Sequence, residues 1–185
     1  PNSTLTRIVS TDTNSFGVYA QDLISFTEKI KLLAGIRWSW QEAEVINNSL
    51  TTQAPIRKDE AFSPKFGLVY QPTKEMSLFA SYSNSFTPNT GTTVDLKPIK
   101  PSIIDQYEAG IKKDFWRGIL STNITAYQIT NSNLAQTAEF KADGSNNTDT
   151  TIKVLNGETT SKGIEIDITA RPTEGLNIIA GYSYN

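Results

Sequence analysis

Apolar and polar residues alternate along most of this chain. From Ile30 to Trp40 the sequence reads IKLLAGIRWSW, and every second residue, counting from Ile30, is apolar. A period of two predicts a β-strand with one apolar and one mostly polar face, because successive side chains of a strand point to opposite sides. No segment of useful length shows the 3.6-residue period of an amphipathic helix. The pattern therefore predicts an all-β chain.

About eight strand-like segments of roughly ten residues each follow one another in this way. They are Phe16–Phe26, Ile30–Trp40, Ala61–Gln71, Met76–Phe86, Ile103–Lys113, Ile119–Thr130, Ser161–Arg171 and Leu176–Tyr184. The connections alternate between short turns (Thr27–Lys29, Pro72–Glu75, Asp114–Gly118, Pro172–Gly175) and long polar loops (Gln41–Glu60, Thr87–Ser102, Asn131–Thr160). Long loops that all lie on one side are typical of the hairpins of a transmembrane β-barrel.

The charged residues of the strands help to assign their faces. The apolar set of the strand from Ile30 turns Lys31 and Arg37 to the opposite face, towards a lumen. In Ile103–Lys113 the better apolar set leaves Asp105 and Lys113 on the apolar side. Both lie near strand ends, where a charge costs ~0–1 kcal/mol, against ~2–4 kcal/mol for Lys or Arg at the midplane of a bilayer.

Two strands have no clear phase, because polar residues are mixed into their apolar sets. These are Phe16–Phe26 and Ile119–Thr130. The aromatic residues are more informative, since they gather towards the strand ends, as the two membrane–water interfaces favour. We predict an interfacial aromatic girdle that contains Trp38, Trp40, Tyr82, Phe86, Tyr182 and Tyr184.

Composition excludes several kinds of chemistry. The 185 residues carry a net charge of -2 and no cysteine or histidine, so a disulfide framework, thiolate chemistry and the commonest general base are absent. No nucleotide-binding or nucleophile motif is present, and scattered charges give no reason to expect nucleic acid. We predict that the chain is not an enzyme and holds no cofactor or metal. The stretch from Asp143 to Asp149 misses the spacing of a calcium loop and is predicted to be a flexible polar loop, in a connection without core residues.

Three stretches resemble the TonB-dependent siderophore receptors of Gram-negative outer membranes. FSPKFGLVYQPTKEMSLFASYSNSFTPNTG (Phe62–Gly91) resembles the family's hairpin in which an SPRxGLxY strand turns into LYxSYSxSFxP. IKPSIIDQYEAGIK (Ile99–Lys112) resembles the LKPE…QYExGxK segment, with Ile99 and Ser102 in place of the usual Leu and Glu. SKGIEID (Ser161–Asp167) resembles the SRGVE strand, and GYSY (Gly181–Tyr184) the strand after it. GVYAQD (Gly17–Asp22) is a weaker match.

The resemblance implies an outer-membrane receptor for ferric siderophores or similar chelates, with TonB-energised transport of the bound iron. It implies an antiparallel up-and-down barrel of about 22 strands whose lumen holds a plug domain. Residues 1–185 would then be part of the barrel domain, without the plug domain, the TonB-contacting segment or the final strands. The expected partners are a ferric chelate, outer-membrane lipid and the TonB complex through the missing N-terminal part, in the outer membrane of a bacterial cell.

Two alternatives stay open from the sequence. One is a complete small outer-membrane barrel of eight strands, which needs a last strand that pairs with the first. The other is a soluble β-sandwich that serves as a binding domain.

Candidate ligand-binding residues are chosen only by their predicted position in the barrel, because no motif marks them. Four residues near the predicted mouth of the barrel are candidates: Gln41, Arg57, Lys58 and Asn89.

Overall fold

A computed structural model describes residues 9–47 and 56–185, and it confirms the all-β prediction. Eight antiparallel strands form one sheet in chain order. They are β1 (Val9–Ser25), β2 (Ile30–Asn47), β3 (Arg57–Thr73), β4 (Met76–Thr87), β5 (Ser102–Phe115), β6 (Leu120–Thr137), β7 (Lys153–Thr173) and β8 (Leu176–Tyr184). Within the described ranges, no helix is long and apolar enough to span a bilayer.

Most strands are longer than the predicted ten residues, and most of the additional residues lie on the long-loop side of the sheet. β2 has 18 residues, and β7 has 21 because it begins at Lys153 instead of Ser161. An 18-residue strand is about 60 Å long at roughly 3.3 Å per residue, whereas the hydrocarbon core of a bilayer is only about 30 Å thick. Strands of this length are therefore about twice as long as such a core is thick.

The register of the strands gathers the apolar sets on one face. One row of paired residues contains only apolar or aromatic side chains: Ile30, Tyr70, Leu78, Ile111, Ile124, Ile166 and Tyr182. We call the face that carries this row the outer face, and the opposite one the lumen face. The register also assigns the faces of β1 and β6, which the sequence left undecided. Ile24 of β1 and Ile124 of β6 both lie on the outer face.

Strand glycines on the lumen face make room for large side chains of neighbouring strands. A Cβ atom built on Gly17 would lie 2.4 Å from Nη2 of Arg37, and one on Gly163 would lie 2.6 Å from Oη of Tyr127. These side chains therefore lie against the sheet instead of standing up from it. Arg37 and Tyr127 thus form part of the wall of the lumen.

The topology contradicts both alternatives. β1 and β8 are the two edges of the sheet and do not pair with each other, so the described strands do not close into a small barrel. A sandwich requires a second sheet and a core between the two sheets. The described strands form one sheet, in which Ala43 is the one buried apolar residue, whereas the other buried apolar residues of the described ranges, Ile99, Ala138 and Ile152, lie in the connections.

The two long connections 88–101 and 138–152 pack against each other. The N–H of Thr92 donates to the carbonyl of Thr151 at 2.9 Å, and the N–H of Lys153 donates to the carbonyl of Thr92 at 2.7 Å. Ile99 is only 1% exposed and Ile152 only 7%. The prediction that the second connection has no core residues is therefore wrong, since Ala138 and Ile152 are both buried.

The stretch from Asp143 to Asp149 is an exposed polar loop that contains hydrogen-bonded turns, and its flexibility stays a prediction. The carboxylate of Asp143 accepts hydrogen bonds from the hydroxyl and the N–H of Ser145, at 2.6 and 2.9 Å. Asp149 accepts from the hydroxyl and the N–H of Thr151, at 2.7 and 2.8 Å. These bonds favour the ionised form and lower the pKa of both carboxyl groups.

The assignment of faces predicts different effects for lysine at two neighbouring positions of β6. Ile124→Lys places a charge on the outer face, four residues from the short-turn end of the strand at Leu120. In the full-length protein in lipid vesicles, it should lower the free energy of unfolding by about 2–4 kcal/mol. Asn123→Lys, on the lumen face beside Asp167, should change it by about 0.5 kcal/mol or less. Equal losses in urea unfolding would contradict the assignment.

The packing of the two connections predicts a specific requirement for glycine at position 91. Gly91 has φ 108°, and a Cβ there would lie 2.5 Å from the carbonyl oxygen of Thr151. Gly91→Ala should therefore separate the connections and accelerate amide hydrogen exchange at Thr92 and Lys153. Gly144→Ala is the matched control, because Gly144 also has positive φ but no atom within 4 Å of an added Cβ. Unchanged exchange in the Gly91 variant would disprove the requirement.

Candidate functional site

The sheet opens between β3 and β4 on the long-loop side. Their ladder ends at the pair Lys65–Ser83, although β3 stays paired with β2 as far as Arg57 and β4 stays paired with β5 as far as Thr87. The next residue of β3 is Pro64, which has no N–H to contribute to a ladder. The two strands therefore separate above this pair, although each keeps its other neighbour.

A cavity of about 480 Å³ lies at this opening, lined by residues of both faces of β1 to β4. Its lining includes Tyr19, Gln21, Arg37, Ser39, Ser63, Lys65, Ser83, Ser85 and Phe86. An adjacent cavity of about 330 Å³ shares Arg37, Ser39 and Phe86 and adds Gln41. Arg37 and Lys65 are cationic, and no described residue that lines either cavity is acidic. The site therefore has a net positive charge and many hydroxyl donors.

Arg37 is held in place by its neighbours. Its Nε donates to the hydroxyl oxygen of Ser39 at 2.8 Å, and its guanidinium lies over Gly17. Among the described residues, no carboxylate lies within 4 Å of it. The planar guanidinium is therefore oriented in advance and has N–H donors for a ligand that presents paired oxygen atoms.

The far end of the opening is closed by Arg57 and Asn89, where the guanidinium of Arg57 donates to the carbonyl of Asn89. The Asn89 side-chain amide donates to the carbonyls of Lys100 at 2.9 Å and Asn133 at 3.0 Å, and its oxygen accepts from the hydroxyl of Ser102 at 3.0 Å. Asn133 has φ 57° and lies at a bulge of β6, which turns its carbonyl out of the ladder. Asn89 thus joins the chain after β4 to β5 and β6.

Two ion pairs lie side by side at the end of β3, on opposite faces. Arg57 Nε is 2.8 Å from the Asp59 carboxylate, which is only 5% exposed. Burial raises the pKa of the Asp59 carboxyl above its ordinary range, and the positive charge of Arg57 acts against this shift. Lys58 Nζ is 2.9 Å from the Glu42 carboxylate, and the Lys58 side chain is 64% exposed.

The four candidates from the sequence have different positions in the structure. Gln41 lines the smaller cavity, and Arg57 and Asn89 contact each other. Lys58 pairs with Glu42 on the outer face, so it does not reach the lumen side. A role of these residues in binding stays a prediction. The sequence predicted that Arg37 faces the lumen, but neither Arg37 nor Lys65 was among the four ligand-binding candidates. Both could have been found as cations at lumen-facing strand positions near the long loops.

Most of the predicted girdle residues lie on the outer face of the sheet, as the alternation along each strand predicts. Trp38 pairs with Phe62, and its ring contacts that of Phe16 edge-to-face with centroids 6.3 Å apart. Tyr82 stacks with Tyr107 at 5.0 Å. Trp40, Tyr182 and Tyr184 share the outer face, and the last two are exposed. Phe86 differs, because it lines both cavities at the opening instead of facing only outward. Contact of the girdle with lipid stays a prediction.

No group of three or more potential metal-ligating side chains (His, Cys, Asp or Glu) occurs among the described residues. The donors that line the two cavities are cations, amides and hydroxyls. This set suits a ligand that carries its own oxygen acceptors.

Comparisons with known proteins find one family and several receptors that resemble this chain. Residues 1–185 match the sequence model of a family described as "TonB dependent receptor-like, beta-barrel". The chain is 30% identical over 178 residues to the metal-pseudopaline receptor CntO of Pseudomonas aeruginosa, covering 94% of this chain and 24% of that protein. It is 28% identical over 171 residues to a ferric-pyoverdine 358 receptor of Pseudomonas putida, covering 91% and 21%. The chain thus spans about a quarter or less of the length of these curated relatives.

A solved structure shows the same fold. The alcaligin outer-membrane receptor FauA of Bordetella pertussis superposes with a TM-score of 0.81 at 21% identity, over 95% of this chain and 30% of that one. The eight-stranded sheet therefore corresponds to part of a larger barrel in that structure.

The two ion pairs at the end of β3 predict different effects for matched substitutions. Arg57→Met leaves the buried Asp59 without its counterion and removes the bond to Asn89. Protection against amide hydrogen exchange across residues 88–101 should fall by about tenfold or more, since an uncompensated buried charge is costly. Lys58→Met removes only an exposed pair, worth about 0–1 kcal/mol, and should leave this protection nearly unchanged. The same loss of protection in both variants would contradict the role given to Arg57.

Proposed function

We propose that the full protein is an outer-membrane receptor that takes up ferric siderophores or similar metal chelates. The proposal proceeds from the family, because this chain belongs to the TonB-dependent receptor β-barrel family. Residues 1–185 form part of its barrel domain, and a plug domain and a TonB-contacting segment belong to other parts of the protein. The TonB complex supplies the energy for uptake. The names of the relatives support this proposal, because they describe receptors for metal-pseudopaline, ferric pyoverdine and ferrioxamine.

The observation that carries the proposal is the charge of the site at the opening. Arg37 and Lys65 line a cavity of about 480 Å³ without an acidic neighbour in its lining. A chelate that binds its metal through carboxylate, catecholate or hydroxamate oxygens presents acceptor atoms and often a net negative charge. A cationic site with hydroxyl donors matches this chemistry, and it attracts such a ligand from solution.

Each kind of residue in the cavity has a distinct role in this proposal. Arg37 donates N–H groups to oxygen atoms of the chelate, and Lys65 adds a flexible positive charge. The hydroxyls of Ser39, Ser63 and Ser83 complete the donor set. Tyr19 and Phe86 pack against the apolar parts of the chelate. The site binds and orients the ligand but performs no covalent step, in keeping with a transporter and not an enzyme.

Substitution of the two cations tests this proposal. In the full-length receptor, Arg37→Gln and Lys65→Gln should each weaken the binding of an anionic ferric siderophore by about tenfold, which corresponds to about 1.4 kcal/mol. Lys112→Gln is the control, because Lys112 lies on the same lumen face near the short-turn end, 5.3 Å from the Phe79 ring centroid. Affinities come from fluorescence titration against a panel of ferric siderophores that differ in charge.

Two outcomes would contradict the proposal. One is that no ferric chelate in the panel binds the full-length receptor. The other is that the Lys112 variant weakens binding as much as the two cavity variants, since the effect would then reflect only the overall charge of the lumen.

A further inference from the structure

The turn between β5 and β6 has an unusual backbone. Trp116 has φ 50° and Arg117 has φ 59°, so two consecutive residues other than glycine adopt the left-handed region, followed by Gly118 at φ 90°. The left-handed conformation costs roughly 1–2 kcal/mol for each such residue. Burial does not offset this cost, because Trp116 is 70% exposed. The turn thus holds an indole and a guanidinium outside the protein at an energetic cost.

A second cation and a second aromatic ring lie beside this turn, on the outer face. Lys113 and Phe115 continue the side of β5 that carries Ile111, and Lys113 pairs with Met76 and Thr122. Lys113 Nζ lies 4.8 Å from the centroid of the Phe115 ring, and the rings of Phe115 and Trp116 are 6.2 Å apart. The lysine is therefore at the short-turn edge of the apolar surface that faces lipid.

In the ranges that the structure describes, no carboxylate neutralises these cations. Among the described residues, no carboxylate lies within 4 Å of Lys113 or Arg117. The adjacent Asp114 is on the lumen face, where the hydroxyl of Ser121 donates to it at 2.6 Å. The other three short turns each contain a glutamate: Glu28, Glu75 and Glu174. The stretch from Phe115 to Ile119 contains no acidic residue.

We propose that Lys113, Trp116 and Arg117 bind the phosphodiester headgroup of an anionic phospholipid in the leaflet at the short-turn side, which is the periplasmic leaflet. Trp116 fits the interface, where an indole ring has both apolar and polar surroundings. The two cations lie where lipid phosphates lie, and basic residues at a membrane surface attract anionic lipids by about 1 kcal/mol each. A headgroup with a net negative charge suits the pair better than a zwitterionic one, whose ammonium group would be repelled. This site does not depend on which chelate the receptor binds.

Native mass spectrometry of the full-length receptor tests the site. The receptor is taken from nanodiscs of phosphatidylethanolamine with or without phosphatidylglycerol. The wild type should retain phosphatidylglycerol in preference to phosphatidylethanolamine, and the double variant Lys113→Gln/Arg117→Gln should lose about tenfold of this preference. The matched control Lys29→Gln/Lys74→Gln removes two cations from the β1–β2 and β3–β4 turns, which contain glutamates, and should keep the preference.

Several results would overturn the proposal. They are a wild type that retains both lipids equally, a control that loses as much preference as the test variant, and competition by inorganic phosphate at millimolar concentration, which would indicate a site for free phosphate. If the double variant does not fold, salt dependence of the wild type replaces it. The preference should then fall as ionic strength rises, and a preference that does not respond to salt would count against the two cations.

Discussion

The absence of water in the hydrocarbon layer is the constraint on which the rest of this structure depends. A backbone N–H or C=O that faces lipid without a partner costs several kcal/mol, so a chain that crosses a bilayer as strands must pair every group with a neighbour. The eight strands satisfy this requirement by a ladder that runs in chain order. The irregularities of the ladder lie towards its ends. Two shifts in register enclose Pro72 and Pro172 at short turns, and two more lie between Asn131 and Ala135 beyond the apolar band.

The candidate site forms where this constraint ends. Lys65 is eight residues from the end of β3 at Thr73, and a strand crosses the hydrocarbon layer in about 9–11 residues. The ladder between β3 and β4 therefore opens close to the outer interface, where water can take over the hydrogen bonds. Pro64, which has no N–H, lies at the position where the pairing stops. Arg37 and Lys65 line the cavity at this opening. The place where the ladder stops therefore determines where the cationic cavity lies.

The alternation of apolar and polar residues predicted the segments of the strands that cross the bilayer. It predicted little of the strand extensions and connections outside the bilayer. A strand between lipid and a polar lumen must contrast its two faces, and the number, order and turns of the strands could be read from this contrast. The extensions of β2 and β7 mix apolar and polar residues on both faces, so no period of two marked them. The hydrogen bonds of Thr92 with Thr151 and Lys153 join distant parts of the chain, and no local pattern shows them. Arg37 was predicted to face the lumen, but its place in a binding site depends on where another pair of strands stops pairing.

The two rims of the sheet satisfy their polar groups in different ways. At the long-loop rim the protein uses its own connections, since Asn89 bonds to Arg57, Lys100, Asn133 and Ser102, and Thr92 bonds to Thr151 and Lys153 where the neighbouring connection ends. The short-turn rim has too few residues to do this. A turn such as Trp116–Gly118 cannot fold back over its own charges, so Arg117 and the nearby Lys113 have no carboxylate within 4 Å among the described residues and are left for the proposed headgroup. The long-loop rim is therefore preorganised for a ligand that comes from solution, whereas the short-turn rim is complete only with the headgroups of the surrounding lipid.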